Sequence, residues 1–405
     1  MDTYRSNLLP EGSCEKIIAL RRFMHVNPEL SNQEHKTKAK ILEMLRAEGV
    51  RNVGTFHGTG IYVDIVGYGE VPVNVVVRGD IDALPIQEDR PDLEYQSTTA
   101  GLMHACGHDA HAAAAFGTVL AALANRHQFG GKVRVIFQPA EEAEPLGGRT
   151  VANDGLLDGF DYAVGLHVNP EIPSGKFGVL AGPVSKSADE FEVIFTGKNS
   201  HAAMPELGVD AIVIASSFVN EVQKLVSRES FSEHASTISI GRFHGGEATN
   251  IVCDRVVLNG TIRTRSASAR TALHERLLAI ADGIARMHRG EARLTITKGE
   301  PPVINDLGVS ELVRSTIVAT FGENTLHPAK PMAGADDFGF YSETLPSVYF
   351  WIGCFNESAN NVAHVHNPRF GVADADVLKA AEATWAVVKC LQRQNVDSDD
   401  PRPLL

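Results

Sequence analysis

The sequence predicts an α/β protein: a mostly parallel central sheet flanked by helices, interrupted by a smaller inserted domain of ferredoxin-like βαββαβ order. Three observations predict it. Short runs rich in Val and Ile, with little polar alternation, occur at residues 60–66, 71–77, 132–137 and 162–168, the pattern of strands buried on both faces. Segments of helical periodicity separate them. The middle of the chain then changes character, and 405 residues is long for a single core.

At the start, Ile17, Leu20 and Met24 share one helical face, and Leu42 and Leu45 share another that Gly49 stops. An Ala-rich stretch at 110–124 reads as a buried helix. In the middle, a strand at 190–195 precedes a helix that Asp210 caps, with Ile214, Phe218, Val222 and Leu225 on one stripe. Strands at 236–243 and 255–264 follow. A helix then carries Leu273, Leu277, Ile280, Ile284 and Met287, and a strand covers 292–298. This order is a complete two-layer unit, so the inserted domain is expected at 185–302, with 1–184 and 303–405 forming the main domain. The last third gives a strand at 347–352 and a helix at 373–392 with Val377, Ala381, Trp385 and Val388 on one face. Residues 395–405 read as an acidic, frayed tail.

Composition narrows the function classes. A net charge of -13, from 37 basic and 50 acidic side chains, argues against nucleic acid as a partner. Residues 1–10 lack a signal-peptide pattern, and no apolar run has transmembrane length. Five Cys (14, 106, 253, 354 and 390) are odd in number and irregular in spacing. They predict no disulfide framework and a reducing, cytoplasmic setting.

The polar groups gather at a few places. Residues 103–111 pack Cys106, Asp109 and the imidazoles of His104, His108 and His111 at a helix start, where the dipole favours a thiolate. Three candidate strands run into Asp80 and Asp82, into Glu141 and Glu142, and into His167; a late loop carries His364 and His366. In open α/β sheets, sites lie beyond the carboxyl ends of strands. Plain structural roles compete with this reading. Asp80 and Asp82 also suit turns, Cys106 also suits a buried free thiol, and His104 and His111 read as packing groups. Adjacent Glu141 and Glu142 also suit a solvated loop, but a like-charge pair beside an apolar strand is costly without cations. Cys106, His108, Glu142, His167 and His366 offer five ligands, more than one closed four-ligand site needs. Such a set suits two ions about 3.5–4 Å apart, with Glu141 as general base.

These residues resemble, in order along nearly the whole chain, the co-catalytic metallo-aminoacylase and carboxypeptidase family of carboxypeptidase G. The similarity is greatest to the branch with hippurate hydrolase, bacterial N-acyl-amino-acid amidohydrolases and auxin-conjugate hydrolases. It rests on Arg22-Phe23-Met24-His25, Asp80-Ile81-Asp82-Ala83-Leu84-Pro85, His104-Ala105-Cys106-Gly107-His108-Asp109 and Gln138-Pro139-Ala140-Glu141-Glu142. It continues through Gly165-Leu166-His167, His201-Ala202-Ala203, Gly260-Thr261-Ile262-Arg263, Gly334-Ala335-Asp336-Asp337-Phe338 and His366-Asn367-Pro368. The resemblance implies that Cys106, His108, Glu142, His167 and His366 hold two divalent metal ions, Mn or Zn, with Co or Ni as alternatives. It implies Glu141 as catalytic base, and His201, Asn250 and Arg263 as substrate-binding groups on the inserted domain, which serves as lid and homodimer interface. The chain departs from the wider family in carrying Asp80 and Cys106 where a metal-binding His and a bridging carboxylate are usual. It departs from the branch at Glu206 and Cys253, where His and Pro are common. Gly182 and Gly299 read as either hinges or ordinary turns.

The expected function is hydrolysis of the amide bond of N-acyl amino acids or related small conjugates. The alternatives are a small-peptide metallocarboxypeptidase or dipeptidase, a hydrolase with Cys106 as nucleophile, and a non-catalytic metal-dependent binding protein.

Overall fold

A computed structural model describes residues 6–393, so the acidic tail at 395–405 lies outside the described residues. The chain opens with α1 (Ser13–Val26), α2 (His35–Ala47), β1 (Val53–Phe56), β2 (Gly60–Val66), β3 (Val75–Asp80), α3 (His108–Ala124), β4 (Lys132–Gln138), α4 (Gly147–Asn153), β5 (Tyr162–Pro173) and β6 (Phe177–Gly178). It continues through β7 (Gly182–Pro183), β8 (Asp189–Thr196), α5 (Ala211–Lys224), β9 (Thr237–Gly245), β10 (Arg255–Arg263), α6 (Ala267–Met287) and β11 (Glu291–Lys298). Then come β12 (Ile304–Asn305), α7 (Leu307–Phe321), α8 (Gly339–Thr344), β13 (Ser347–Phe355) and α9 (Asp374–Leu391).

Two compact units form. Among the described residues, the first takes 6–182, Ile304–Lys330 and 340–393; the second is Pro183–Val303 together with Pro331–Gly339. The sequence reading placed the inserted segment at 185–302 and left 331–339 with the main domain.

The first unit is a mixed α/β structure around a seven-stranded sheet of order β1-β2-β4-β3-β5-β13-β6. The four central strands β4, β3, β5 and β13 run parallel, and β1, β2 and β6 add antiparallel edges. Apolar strands belong in the middle because helices cover both faces of a parallel sheet; all of β3 is buried. The Ala-rich sequence of α3 lets other elements approach closely. A Cβ on Gly79 of β3 would lie 2.8 Å from Ala115 Cβ, and one on Gly117 would lie 2.6 Å from Ala381 Cβ on α9. Strand β3 begins at Val75 rather than at Val71, and hairpin strand β1 had no apolar run to announce it. Pro72, which lacks an N–H, sits in the excluded part of the expected strand.

The second unit has a four-stranded antiparallel sheet of order β11-β8-β10-β9, with α5 and α6 contributing to its core. Burial alternates along β8, whose Phe191, Val193 and Phe195 join Phe218, Val222 and Leu277 in that core. Asp210 caps α5 by accepting from the Ile212 and Val213 amides. Met287 departs from its expected place on the buried stripe of α6: it is the last helical residue and is exposed. No helix among the described residues is long and apolar enough to cross a membrane.

Candidate metal centre

The site forms at the carboxyl ends of the parallel strands of the first unit. Gly107 makes the turn that delivers two of its groups: its φ is 92°, and a Cβ there would lie 2.4 Å from Val168 Cγ2. On either side of it, Cys106 and His108 are both buried. Strand β5 carries buried His167. The Pro139–Glu142 loop after β4 supplies Glu141 and Glu142. His366 enters on a loop with φ 62°, its amide donating to the Ala105 carbonyl at 2.8 Å.

These five donors converge. The Cys106 Sγ lies 3.4 Å from His167 Nε2, and His366 Nε2 lies 3.1 Å from Glu142 Oε1. Ligand atoms of Cys106, His108 and His167 lie within 4.8 Å of one another, as do those of Cys106, Glu142 and His366, and those of His108, Glu141 and Glu142. Cys106 is common to the first two groups, so its sulfur sits where one atom could serve two ions.

Buried partners set the tautomers. His108 Nδ1 donates to the Asp82 carbonyl at 3.0 Å and to its Oδ1 at 2.9 Å, and His167 Nδ1 donates to the Val168 carbonyl at 2.6 Å. With Nδ1 so committed, Nε2 is the nitrogen that each ring turns toward the cluster, the usual arrangement of a metal-ligating His. The His108 Nε2 is buried and has no hydrogen-bond partner. Leaving such an atom unpaired costs about 1–3 kcal/mol, so a cation at that point would satisfy it. Electrostatics agree with that fit. Burial disfavours the His108 imidazolium, yet the carboxylates of Asp80, Asp82 and Glu142 outweigh it and push its pKa up to about 10. The same field favours a divalent cation. His167 goes the other way: burial, then His111, hold it well below the ordinary range, so it stays neutral and able to ligate.

Asp82 organises the cluster. Besides holding His108, its Oδ2 accepts from the Glu141 and Glu142 amides, both at 3.0 Å, and from the Ser31 hydroxyl at 2.7 Å. Burial opposes its ionisation, but the His108 hydrogen bond and these donors hold its carboxyl below the usual value. Asp80 is likewise more than a turn residue, being buried, ion-paired with Arg78 and bonded to His111 Nδ1 at 2.7 Å. The other His111 nitrogen accepts from the Val168 amide at 3.0 Å. Both nitrogens are committed, which agrees with a packing role. His104 is buried with neither ring nitrogen hydrogen-bonded, and burial lowers its pKa to about 4.

Two supports escaped the sequence reading. Buried Glu34 accepts from the Ala140 amide at 3.0 Å and from the Thr59 hydroxyl at 2.6 Å. It thereby holds the residue whose positive φ of 52° aims the Glu141–Glu142 loop. Asp109 accepts from His25 Nδ1 at 2.8 Å and pairs with Arg21 Nε at 3.0 Å, while the far side of His25 meets Glu88 at 3.0 Å. That network anchors the first turn of α3. The Arg-Arg-Phe-Met-His run in α1 was the available signal for it; nothing local marked Glu34.

The three expected substrate groups lie in the second unit. His201 and Asn250 are exposed, on segments that pair through the Ala202 amide and the Asn250 carbonyl at 3.0 Å. Arg263 ends β10, half-buried, opposite Thr237 of β9.

Residues 76–389 match the model of peptidase family M20/M25/M40. The chain is 52% identical over 374 residues to the uncharacterized hydrolase y4tI of Sinorhizobium fredii, covering 92% of each. It is 35% identical over 394 residues to N-acetyl-L-cysteine deacetylase of Bacillus subtilis, covering 97% of this chain and 92% of that one. Its fold is similar to that of the Bacillus subtilis YXEP protein, a dinuclear metal binding peptidase from the M20 family, at a TM-score of 0.80 and 31% identity over 94% of this chain and 98% of the other. The chain therefore belongs to peptidase family M20/M25/M40, as one of its metal-dependent amidohydrolases and peptidases.

Proposed function

We propose that the protein hydrolyses the amide bond of N-acyl amino acids or related small conjugates, with two divalent ions held by Cys106, His108, Glu142, His167 and His366. The carrying observation is the convergence of those five donors, with the Glu141 carboxylate oxygen 3.9 Å from His108 Nε2. When bound, such ions supply Lewis acidity and a water whose pKa falls toward about 7. Mn and Zn suit this mixture of thiolate, imidazole and carboxylate, with Co and Ni as alternatives.

Glu141 does the proton work. Its backbone is fixed by Asp82, which orients the carboxylate to take a proton from the attacking water and pass it to the leaving amine. Such transfer is typically worth about 10²–10⁴-fold in rate. His201 donates to the developing oxyanion of the substrate carbonyl. Arg263 binds the substrate carboxylate through its planar fork, and Asn250 adds a donor. The second unit, in this reading, is a ferredoxin-like lid that also forms a homodimer. Its βαββαβ element order and the exposed edge strand β9 support that assignment. Five cysteines, none of them in a disulfide among the described residues, are consistent with a cytoplasmic setting.

A panel of N-acyl amino acids and dipeptides, assayed with Mn and with Zn, tests the reading and separates it from a dipeptidase or carboxypeptidase. The Cys106–His167 contact favours one other reading, a thiol nucleophile activated by an imidazole. Chelation separates the two: full activity after EDTA treatment, with loss on thiol alkylation, would replace the metal mechanism by the cysteine one.

A further inference from the structure

Three cations gather in one corner of the second unit without a carboxylate among them. The Lys186 ammonium donates to the Thr237 hydroxyl at 3.1 Å. Thr237 is paired across the sheet with Arg263, and side chains directly opposite in an antiparallel pair stand about 4.5–5.5 Å apart at Cβ. The adjoining backbones are tied together, since the Ser187 amide donates to the Thr264 carbonyl at 2.7 Å. Arg265 follows at once, donating from its guanidinium only to the Pro331 carbonyl at 3.4 Å, with its Nε buried and unpaired. The chain carries 50 acidic side chains to 37 basic ones, yet among the described residues these three cations have no carboxylate partner.

We propose that Lys186 and Arg265 extend the Arg263 site into one that recognises two carboxylates. The substrates so selected are N-acyl amino acids with an acidic side chain, N-acyl aspartates and glutamates. The inference rests on the reading of Arg263 as the anchor for the substrate's α-carboxylate. One guanidinium satisfies one carboxylate bidentately. The remaining ammonium and guanidinium repel each other and Arg263 until a second negative charge arrives. Burial, then Arg265 and Arg263, already lower the Lys186 pKa from its ordinary value, and a bound dianion would reverse the contribution of those neighbours.

The test uses the intact Mn-loaded protein and reads binding and turnover separately. Calorimetry compares glutarate with its mono-amide, glutaramate, on the wild type, K186M and K186R. Glutarate is expected to bind the wild type about 10–100-fold more tightly, the range of one charge-assisted hydrogen bond. That preference should vanish in K186M and persist in K186R. Equal binding of the two ligands by the wild type, or an undiminished preference in K186M, overturns the proposal. Turnover of N-acetyl-L-glutamate and N-acetyl-L-glutamine reports on the chemistry itself. Cleavage of neither, while other N-acyl amino acids are turned over, or cleavage of both at equal kcat/KM, overturns only the dicarboxylate preference; turnover of no N-acyl amino acid overturns the functional reading above.

Discussion

The candidate site groups of the two units are held in different ways. In the first, Cys106, His108, His167 and the supporting Asp82 and Glu34 are buried, Glu142 is half-buried and His366 is exposed, and the cluster is cross-braced: Asp82 alone receives His108, two loop amides and a hydroxyl. In the second, His201 and Asn250 are exposed, and Lys186, Arg263 and Arg265 lack ionic partners among the described residues. The difference follows from what each kind of chemistry requires. Metal ligands must be held in place by outer partners before the ion arrives. Groups that recognise a substrate must keep unspent hydrogen-bonding capacity for it. The two departures from the branch, Glu206 and Cys253, lie in the second unit, whereas the five candidate ligands lie in the first.

The largest expected effect tests whether the first unit holds the chemistry. Glu141→Gln should lower kcat by about 10²–10⁴-fold while metal content, measured by elemental analysis, stays at the wild-type level. Unchanged turnover would move the base elsewhere. Asp82→Asn comes next. It keeps the side-chain size but weakens the hold on His108 and the loop amides, so metal affinity should fall about 10–100-fold in a competition titration with a chromophoric chelator. An unaltered affinity would mean that the bracing is incidental.

On the other side of the comparison, Arg263→Lys should raise KM about 10-fold with kcat little changed, because a point charge replaces a bidentate fork. The effect should disappear for a substrate whose carboxylate is replaced by a carboxamide. Equal effects on both substrates would remove Arg263 from carboxylate recognition. A further effect, on stability rather than turnover, lies in the first unit but away from the metal cluster. Burial raises the pKa of Asp376 to about 6, despite donors from Ser174 and the Gly175 amide. The folded value lies above the unfolded one, so the stability that this group contributes is complete below about pH 4 and is lost as pH rises through about 6. The loss should be at most about 3 kcal/mol, read from urea melts at pH 4 and pH 7.5. Asp376→Asn should flatten that dependence, and an identical slope in the variant would locate the titrating group elsewhere.

Much of this arrangement could be read along the chain because its signals are local. Cys106 and His108 flank a glycine at a helix start, and Glu141 and Glu142 follow a buried strand through a proline. His167 interrupts an apolar run. Each position breaks a pattern that burial otherwise imposes. The supports were harder to find because nothing near them in sequence is unusual. Glu34 sits in an ordinary polar segment, and only the folded chain brings it 3.0 Å from the Ala140 amide. Asp80 was ambiguous between a turn and a site until its contact with His111 was seen.

By itself, the sequence determined the alternation of buried strands and amphipathic helices, the antiparallel insert, the family and the identities of the candidate ligands. These follow from residue type and spacing, which act over a few residues. Only the tertiary structure decided which imidazoles, like that of His108, leave a ring nitrogen without a hydrogen-bond partner and which, like that of His111, exhaust both nitrogens on neighbours. It also decided that Asp82 braces the cluster and that Lys186 stands beside Thr237, the cross-strand partner of Arg263. Hydrogen bonding and charge pairing depend on distances between residues far apart in sequence, and folding sets those distances.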